Sequence, residues 1–249
     1  MEIGAQLYTV RDFCKTTDDL AETLKKIADI GYKNVQVSGT CEFDADWLNE
    51  TLIKNGLKCV LTHTPTDKLT SDPALVCKEH DKFNCDYIGL GYYTYENGDP
   101  KENFNTLVNT YRNVADVLNQ NGKYFMYHNH DQEFIKIDGK TILEKLSEEF
   151  SAEKLGFIID TFWVQASGAD PAQWIEKFSG RVPCIHLKDF AYGKKMSVVG
   201  EGNINFDRVF EKAEAAGTKY MLVEQDDCNG ENPFDCLKRS YEYLKSRGF

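Results

Sequence analysis

A helix and a strand follow each other in residues 103–130, which read NFNTLVNTYRNVADVLNQNGKYFMYHNH. Val114 and Leu118 lie four residues apart, which is helical spacing. Gly122 is the residue type that ends a helix in the left-handed conformation, and the apolar run Tyr124–His128 is typical of a buried strand. The segment is therefore predicted to be one helix–strand unit whose strand ends on polar side chains.

The same unit recurs along the chain. Helical segments alternate with eight strand candidates, which are Ile3–Tyr8, Asn34–Ser38, Lys58–His63, Tyr87–Leu90, Tyr124–His128, Gly156–Asp160, Pro183–Lys188 and Tyr220–Glu224. Eight units in 249 residues give about 31 residues per unit, the repeat size of a (β/α)₈ barrel. No linker divides the chain, so the sequence predicts an α/β fold in which residues 1–249 form a single (β/α)₈ TIM barrel. An open doubly wound sheet would need a glycine-rich turn after the first strand, where Thr9-Val10-Arg11-Asp12 stands instead.

Composition and charge restrict the classes of function. The chain carries 29 Lys and Arg against 40 Asp and Glu, a net charge of −11, which disfavours a nucleic-acid partner. We expect neither a secretory signal nor a membrane span, because no basic region precedes an apolar stretch and no long apolar run occurs. The eight cysteines include no C-x-x-C pair and are expected to be reduced thiols of a cytoplasmic protein.

Polar side chains stand at the carboxyl ends of the predicted strands five to eight. They are His128, Asp160, His186 and Glu224. In a parallel barrel these ends share one face, and neighbouring strands lie about 4.8 Å apart, so the four groups can converge on one ion. Two imidazoles and two carboxylates suit a divalent cation such as Mn²⁺, Zn²⁺ or Co²⁺, with Mg²⁺ as a further alternative, rather than Ca²⁺.

Each of these residues also has a structural interpretation. Asp160 can cap the turn after strand six. Glu224 can form an ion pair with Lys188 or Arg181. A strand-end histidine is often a hydrogen-bonded structural group. The joint occurrence on four consecutive strands nevertheless favours a metal or catalytic site.

Several motifs together resemble the xylose isomerase-like TIM-barrel superfamily and, within it, the sugar phosphate isomerase/epimerase group. They are Tyr127-His128-Asn129-His130, Asp160-Thr161, His186-Leu187-Lys188-Asp189, Gly200-Glu201-Gly202-Asn203-Ile204-Asn205-Phe206 and Leu222-Val223-Glu224-Gln225-Asp226. The resemblance extends over essentially the whole chain. It implies a divalent metal cofactor and a small sugar or polyol as substrate. Because members often form dimers or tetramers, it also implies a homo-oligomer.

The resemblance carries over to single residues, with one departure. In ketose 3-epimerases of this superfamily, Glu, Asp, His and Glu of strands five to eight hold the metal, and the two glutamates exchange a proton with the substrate. By resemblance, Asp160, His186 and Glu224 take the last three positions. The strand-five glutamate position falls on His128, and a further family histidine falls near Trp163. The chain also resembles inosose dehydratase, which removes water from a cyclic keto-polyol.

Three functions are therefore open. The first is a metal-dependent sugar isomerase or epimerase that removes a proton next to a carbonyl and forms an enediolate. The second is a dehydratase or lyase acting on a keto-polyol or 3-keto-glycoside. The third is a sugar-binding protein without activity, since the two-glutamate machinery is not intact. Glu224 is the predicted base, and His130 and Glu133 are candidates for the second acid or base.

Four further residues are predicted to contact substrate. Lys188 can hold a substrate oxygen or neutralise nearby carboxylates, and His63 ends the third strand at the same mouth of the barrel. Trp163 follows strand six and can stack on a sugar ring. Glu201 lies in the long polar segment Asp189–Asn205, which is typical of a binding loop or lid. No arginine cluster is evident, which favours a neutral sugar over a sugar phosphate.

Overall fold

Eight parallel strands close into a barrel in the computed structural model, which describes residues 1–249. In chain order, β1 to β8 are Glu2–Gln6, Asn34–Val37, Lys58–His63, Tyr87–Leu90, Tyr124–His128, Leu155–Asp160, Cys184–Leu187 and Tyr220–Val223. Each strand pairs with its neighbours in the sequence, and β8 closes the barrel on β1 through the pair Glu2 and Tyr220. The predicted (β/α)₈ TIM barrel is confirmed.

Ten α-helices accompany the strands. In chain order, α1 to α10 are Thr17–Ile30, Ala45–Asn55, Thr66–Ser71, Pro73–Lys82, Pro100–Gln120, Ile142–Glu149, Thr161–Ala166, Pro171–Lys177, Phe206–Ala215 and Pro233–Ser246. Local chemistry sets their starts: Thr16 forms a capping box at α1, and Asp170 precedes the first-turn proline of α8. None of these helices is both long enough and apolar enough to cross a membrane.

The first strand is shorter than its apolar pattern predicts. The pattern favours a strand over Ile3–Tyr8, but β1 ends at Gln6 and a 3₁₀ helix covers Leu7–Phe13. The side-chain oxygen of Gln6 accepts a hydrogen bond from the amide of Tyr8 at 2.9 Å, and this local bond competes with continued strand pairing. The prediction is therefore wrong at the carboxyl end of this strand.

The long polar segment after β7 is partly regular. Asp189–Ala191 and Lys195–Ser197 form an antiparallel hairpin within it. The Asp189 carboxylate then accepts hydrogen bonds from the amides of Gly200 and Gly202 at 2.9 and 2.8 Å. A Cβ on Gly202 would collide with that carboxylate, so this close approach requires glycine. A buried acid thus ties the segment to the end of β7.

The barrel interior places the polar strand ends together. A buried apolar cluster inside the barrel includes Met126, Ile158, Cys184 and Leu222. Two residues further along the same strands stand His128, Asp160, His186 and Glu224. Because side chains two apart on a strand share one side, these four groups also point inward, one layer nearer the carboxyl end. The apolar layer therefore forms the floor of a polar site.

Candidate metal centre and catalytic cavity

Four potential metal ligands meet at the carboxyl end of the barrel interior. One atom each from His128, Asp160, His186 and Glu224 lies within 4.8 Å of the other three. All four side chains are buried. The structure therefore brings together the four residues that the strand order predicts as ligands, and we call them the ligand cluster.

A buried glutamine orients His186. The Nε2 atom of His186 lies 2.6 Å from Oε1 of Gln36. This amide oxygen can only accept a hydrogen bond, so the His186 Nε2 donates it. Its Nδ1 faces Glu224 Oε2 at 2.8 Å. Burial by itself would lower the pKa of His186, but Glu224 and Asp160 outweigh burial and raise the pKa to about 9. The Nδ1 position is therefore one where a proton or a metal ion is stabilised.

The backbone orients His128 in a similar way. Its Nδ1 donates to the carbonyl oxygen of Gly91 at 3.0 Å, which leaves Nε2 facing Asp160 Oδ2 at 3.4 Å. An acceptor behind an imidazole fixes the tautomer of a ligating histidine. Gly91 directly follows β4. A Cβ at this position would lie 2.6 Å from the ring of His63, so glycine allows the end of β4 to come close to the histidines.

Each carboxylate of the ligand cluster divides its two oxygens between two tasks. Oδ1 of Asp160 accepts hydrogen bonds from the amides of Phe162 and Trp163 at 2.9 and 3.1 Å, while Oδ2 faces the two histidines. Oε1 of Glu224 accepts from Nε2 of Gln6 at 3.1 Å, while Oε2 faces the cluster. Asp160 therefore caps α7 and also belongs to the cluster, so its two predicted interpretations are compatible.

Lys188 neutralises part of the negative charge. Its buried ammonium lies 3.0 Å from Asp160 Oδ2, 2.9 Å from Glu224 Oε2 and 3.0 Å from Asp226 Oδ2. Burial alone would lower the pKa of Lys188, but the three carboxylates outweigh it and hold the pKa well above its usual range. The predicted pairing of Glu224 with Lys188 is thus present, whereas Arg181 donates to backbone carbonyl oxygens instead.

The donor set fits a divalent cation. His186 Nδ1 and Glu224 Oε2 are buried, face each other at 2.8 Å, and both residues belong to the ligand cluster. Three carboxylates around one ammonium leave an excess of negative charge that a doubly charged ion would balance. Imidazole nitrogen together with carboxylate oxygen suits Mn²⁺, Zn²⁺ or Co²⁺.

An open cavity of about 550 Å³ borders the ligand cluster. His128, Lys188 and Glu224 form part of its wall, and Tyr8 and Tyr92 add aromatic surface. This volume lies in the ordinary range for small-molecule sites, and the wall combines aromatic with polar groups. The cavity is therefore suited to a sugar-sized ligand.

Two further histidines line this open cavity. His63 Nδ1 lies 3.2 Å from Ser38 Oγ, and the His63 ring lies 5.1 Å from that of His128. The ring of His130 lies 5.2 Å from that of Trp163, whose buried indole nitrogen has no hydrogen-bond partner. Burial lowers the pKa of His130 to about 3, so its imidazole is neutral near pH 7 and is a weaker base than an exposed histidine.

Glu133 and Glu201 do not line this cavity. Glu133 is completely buried and accepts hydrogen bonds from the Tyr127 hydroxyl and the His130 amide, both at 2.7 Å. These contacts give it a role in positioning the loop after β5 and do not support the predicted role as acid or base. Glu201 is exposed and pairs with Arg239 of α10 at 2.9 and 3.2 Å, outside the lining of the cavity.

The burial of Glu133 predicts a pH dependence of stability. Burial raises its pKa from 4.5 to about 7, so the folded state holds this proton more tightly than the unfolded chain. The stabilisation that this protonated carboxyl provides is therefore fully present below its pKa in the unfolded chain. It is lost as the pH rises to its pKa in the folded protein. We expect wild type to lose stability relative to Glu133→Gln between about pH 5 and about pH 8 in urea unfolding. A difference between the two proteins that does not change with pH would contradict this assignment.

Three residues that position the ligand cluster or its lysine counterion are not predicted from the sequence. Gln6 and Gln36 hold Glu224 and His186, and Asp226 contacts Lys188. The two glutamines could have been found because each is an amide inside an otherwise apolar strand. A buried amide needs a buried hydrogen-bond partner, which indicates a polar site nearby. For Asp226 the signal is its position two residues beyond Glu224, which predicts the same side of the chain.

Comparison with known protein families identifies the family of this chain. The model of the xylose isomerase-like TIM barrel family matches residues 24–247. The chain belongs to this family. The resemblance predicted from the strand-end motifs is thereby confirmed, and the family includes enzymes of the isomerase/epimerase and dehydratase types.

The similar proteins include dehydratases matched by sequence and isomerases or epimerases matched by fold. An inosose dehydratase of Geobacillus thermodenitrificans (strain NG80-2) is 27% identical over 166 residues, which are 58% of this chain and 55% of the relative. The chain thus matches about half the length of such curated relatives. A sugar phosphate isomerase/epimerase structure from Parabacteroides distasonis ATCC 8503 has a TM-score of 0.84 at 20% identity, covering 98% of this chain and 93% of that one. The structure of an L-ribulose 3-epimerase has a TM-score of 0.76 at 15% identity, covering 99% and 94%.

Proposed function

We propose that this family member is an enzyme that removes a proton from the carbon next to a carbonyl in a small sugar or polyol, with a divalent cation held by the ligand cluster. The observation that carries the proposal is the convergence of four ligand atoms at the floor of an open cavity. A cation bound there would stabilise the negative charge that develops on the substrate oxygen, worth several kcal/mol.

Glu224 is the proposed base. It belongs to the ligand cluster and also borders the cavity, so its carboxylate can face a substrate carbon. The amide of Gln6 holds Oε1 at 3.1 Å and so limits the orientations of the carboxylate. A positioned base of this kind contributes about 10²–10⁴-fold to the rate of proton transfer.

The presence or absence of a second acid or base distinguishes epimerisation from isomerisation. Epimerisation at one carbon calls for a proton-transfer group on each face of the substrate. The strand-five position is His128 here, and Glu133 is turned towards Tyr127. The cavity carboxylates Glu224 and Asp226 both follow β8, on one side of the cavity. This arrangement favours a single base that returns the proton to a neighbouring carbon, which is isomerisation.

Elimination is the second candidate function. The same base would remove the proton, a carbon–oxygen bond on the next carbon would break, and the oxygen would leave with a proton as water or an alcohol. Lys188 borders the cavity and carries protons on its ammonium. The similarity to inosose dehydratases specifically favours this candidate.

The charges around the cavity favour a neutral substrate. Lys188 is surrounded by three carboxylates. Arg11 also lines the cavity, but it donates to the backbone carbonyl oxygens of Tyr8 and Asp226 at 2.8 and 3.0 Å. Because both cations already have acceptors, a phosphate group would have to compete for them. We therefore propose an uncharged sugar or polyol.

Metal analysis and solvent exchange test the proposal. The protein is stripped of metal, reloaded with Mn²⁺, and incubated in D₂O with ketoses and inososes. We expect about one Mn²⁺ per chain and deuterium on the carbon next to the carbonyl, with both lost in His186→Ala because that side chain supplies a ligand atom. A rearranged sugar would identify isomerisation, and new ultraviolet absorbance from an enone would identify elimination.

Three results would contradict the proposal. The first is a protein that takes up none of Mn²⁺, Zn²⁺ and Co²⁺. The second is deuterium exchange that persists at full rate after metal removal. The third is thermal stabilisation by a sugar with no exchange on any substrate, which would indicate a sugar-binding protein.

A further inference from the structure

A second and smaller pocket adjoins the open cavity beside the ligand cluster, which the proposed function makes the catalytic cavity. It has a volume of about 230 Å³ and is lined by residues from the loop after β2, from the end of β3 and from α4. Val37, Phe43, Ala45 and Phe83 form its apolar wall. Since an apolar cavity of about 150 Å³ is enough to bind benzene, this pocket has room for one ring. We call it the ring pocket.

The ring pocket and the catalytic cavity share part of their walls. The residues that line both are Ser38, Gly39, His63, Thr64 and Pro65. Gly39 has a φ of +67°, and a Cβ there would lie 2.6 Å from the Tyr8 ring, so position 39 of the junction carries no side chain. The two volumes therefore border each other along these five residues.

A chain of hydrogen bonds leaves one acceptor free at the junction. His80 Nδ1 donates to the carbonyl oxygen of Val76 at 2.8 Å, so its Nε2 accepts from the Thr62 hydroxyl at 2.9 Å. Burial lowers the pKa of His80 to about 4, which keeps the ring neutral. The Thr62 oxygen then accepts from the Thr64 hydroxyl at 2.9 Å. Thr64 is left with oxygen lone pairs that can accept a ligand hydroxyl.

The charged groups of the ring pocket do not favour an anion. Lys68 lies 3.4 Å from Glu42, and Glu79 adds a second carboxylate to the wall. No excess of positive charge remains for a phosphate or a carboxylate. The wall therefore suits an uncharged ring, with a hydroxyl acceptor at its inner edge.

We propose that the ring pocket binds an uncharged aromatic or other apolar ring attached to the reacting sugar, so that the substrate class is a ring-substituted sugar such as an aryl glycoside. The proposal rests on the proposed function, because it places the reacting sugar in the cavity above the ligand cluster. The ring would be removed from water against Phe43 and Phe83, and Thr64 would accept a hydroxyl of the sugar at the junction.

Binding of two matched glucosides tests this inference. Phenyl β-D-glucopyranoside and methyl β-D-glucopyranoside are titrated into the full chain while amide chemical shifts are recorded. We expect the phenyl compound to bind about tenfold more tightly or better, because it buries an additional ring. Its shift changes should include Thr64 and Phe83, and phenol alone should perturb the same amides.

Three variants make the test specific. Ala45→Phe fills the ring pocket and is expected to bring the ratio of phenyl to methyl affinity close to one. Phe43→Ala removes ring contacts without adding bulk, so it gives a second measurement if the first variant folds poorly. Ile53→Phe is the matched control, because Ile53 lies on the same helix as Ala45, is 69% exposed and does not line the ring pocket. The control should keep the wild-type ratio.

The outcomes separate this inference from the proposed function. A wild-type ratio near one, no binding of the phenyl compound, or shift changes away from the ring pocket would each overturn the inference. None of these readouts needs turnover or metal. Failure of the proposed function would appear instead as missing metal uptake or missing deuterium exchange with unsubstituted sugars.

Discussion

Lys188→Met is expected to lower the free energy of unfolding of the metal-free protein by about 3–5 kcal/mol. The variant keeps most of the side-chain volume but removes the ammonium that contacts Asp160, Glu224 and Asp226. Two of these carboxylates are almost completely buried, so they would remain charged without their main counterion. Urea unfolding of both proteins, freed of metal, measures the difference.

A surface lysine provides the control for this measurement. Lys25→Met changes the same residue type at an exposed position of α1 and should leave stability nearly unchanged. Adding Mn²⁺ should restore part of the stability lost in Lys188→Met, because the ion binds the same carboxylates in the folded state. A Lys188→Met protein as stable as wild type without metal would show that the three carboxylates do not depend on this ammonium.

Glu224→Gln is expected to reduce the rate of deuterium exchange by about 10²–10⁴-fold at saturating Mn²⁺. The amide has nearly the same shape as the carboxylate, and its oxygen can still accept the hydrogen bond from Gln6. It cannot take a proton from a substrate carbon. Exchange is measured by NMR at several Mn²⁺ concentrations, so that weaker metal binding is separated from the loss of the base.

Glu214→Gln provides the corresponding control, because Glu214 is exposed on α9, outside the ligand cluster. This variant should exchange at the wild-type rate. If Glu224→Gln at saturating metal also exchanges at the wild-type rate, Glu224 is not the base. His130, which borders the same cavity, would then be the next residue to test.

Strand positions were predictable because they depend on short-range properties of the chain. The pattern over Tyr124–His128 predicts β5 with the bounds that the structure has, and the apolar run at Lys58–His63 does the same for β3. Alternation of side chains along such strands then orients each strand end without knowledge of the rest of the protein. The first strand is the exception, since the Gln6 side chain bonds to the backbone and ends it early.

Roles that depend on a distant partner were not predictable. Glu133 follows β5 closely enough to suggest a second acid or base, yet it is turned to the Tyr127 hydroxyl. Glu201 lies in the segment expected to cover substrate, yet Arg239 of α10 pairs with it. A glutamate near a strand end can point to substrate or to a neighbouring element with equal local propensity. Only the packing of the other elements decides between the two.

The order of ligands is thus a property of the sequence, and their protonation is a property of the fold. His128 and Asp160 end β5 and β6, His186 lies one residue before the end of β7, and Glu224 directly follows β8. Because eight strands of this spacing close in one order, the sequence by itself determines that the four meet. Tertiary structure decided which nitrogen of His186 faces the cluster, because the acceptor on Gln36 is 150 residues away along the chain. It also decided that Lys188 lies among the carboxylates. Hydrogen bonds and ion pairs depend on distances of a few ångströms between remote residues, and no local pattern encodes such distances.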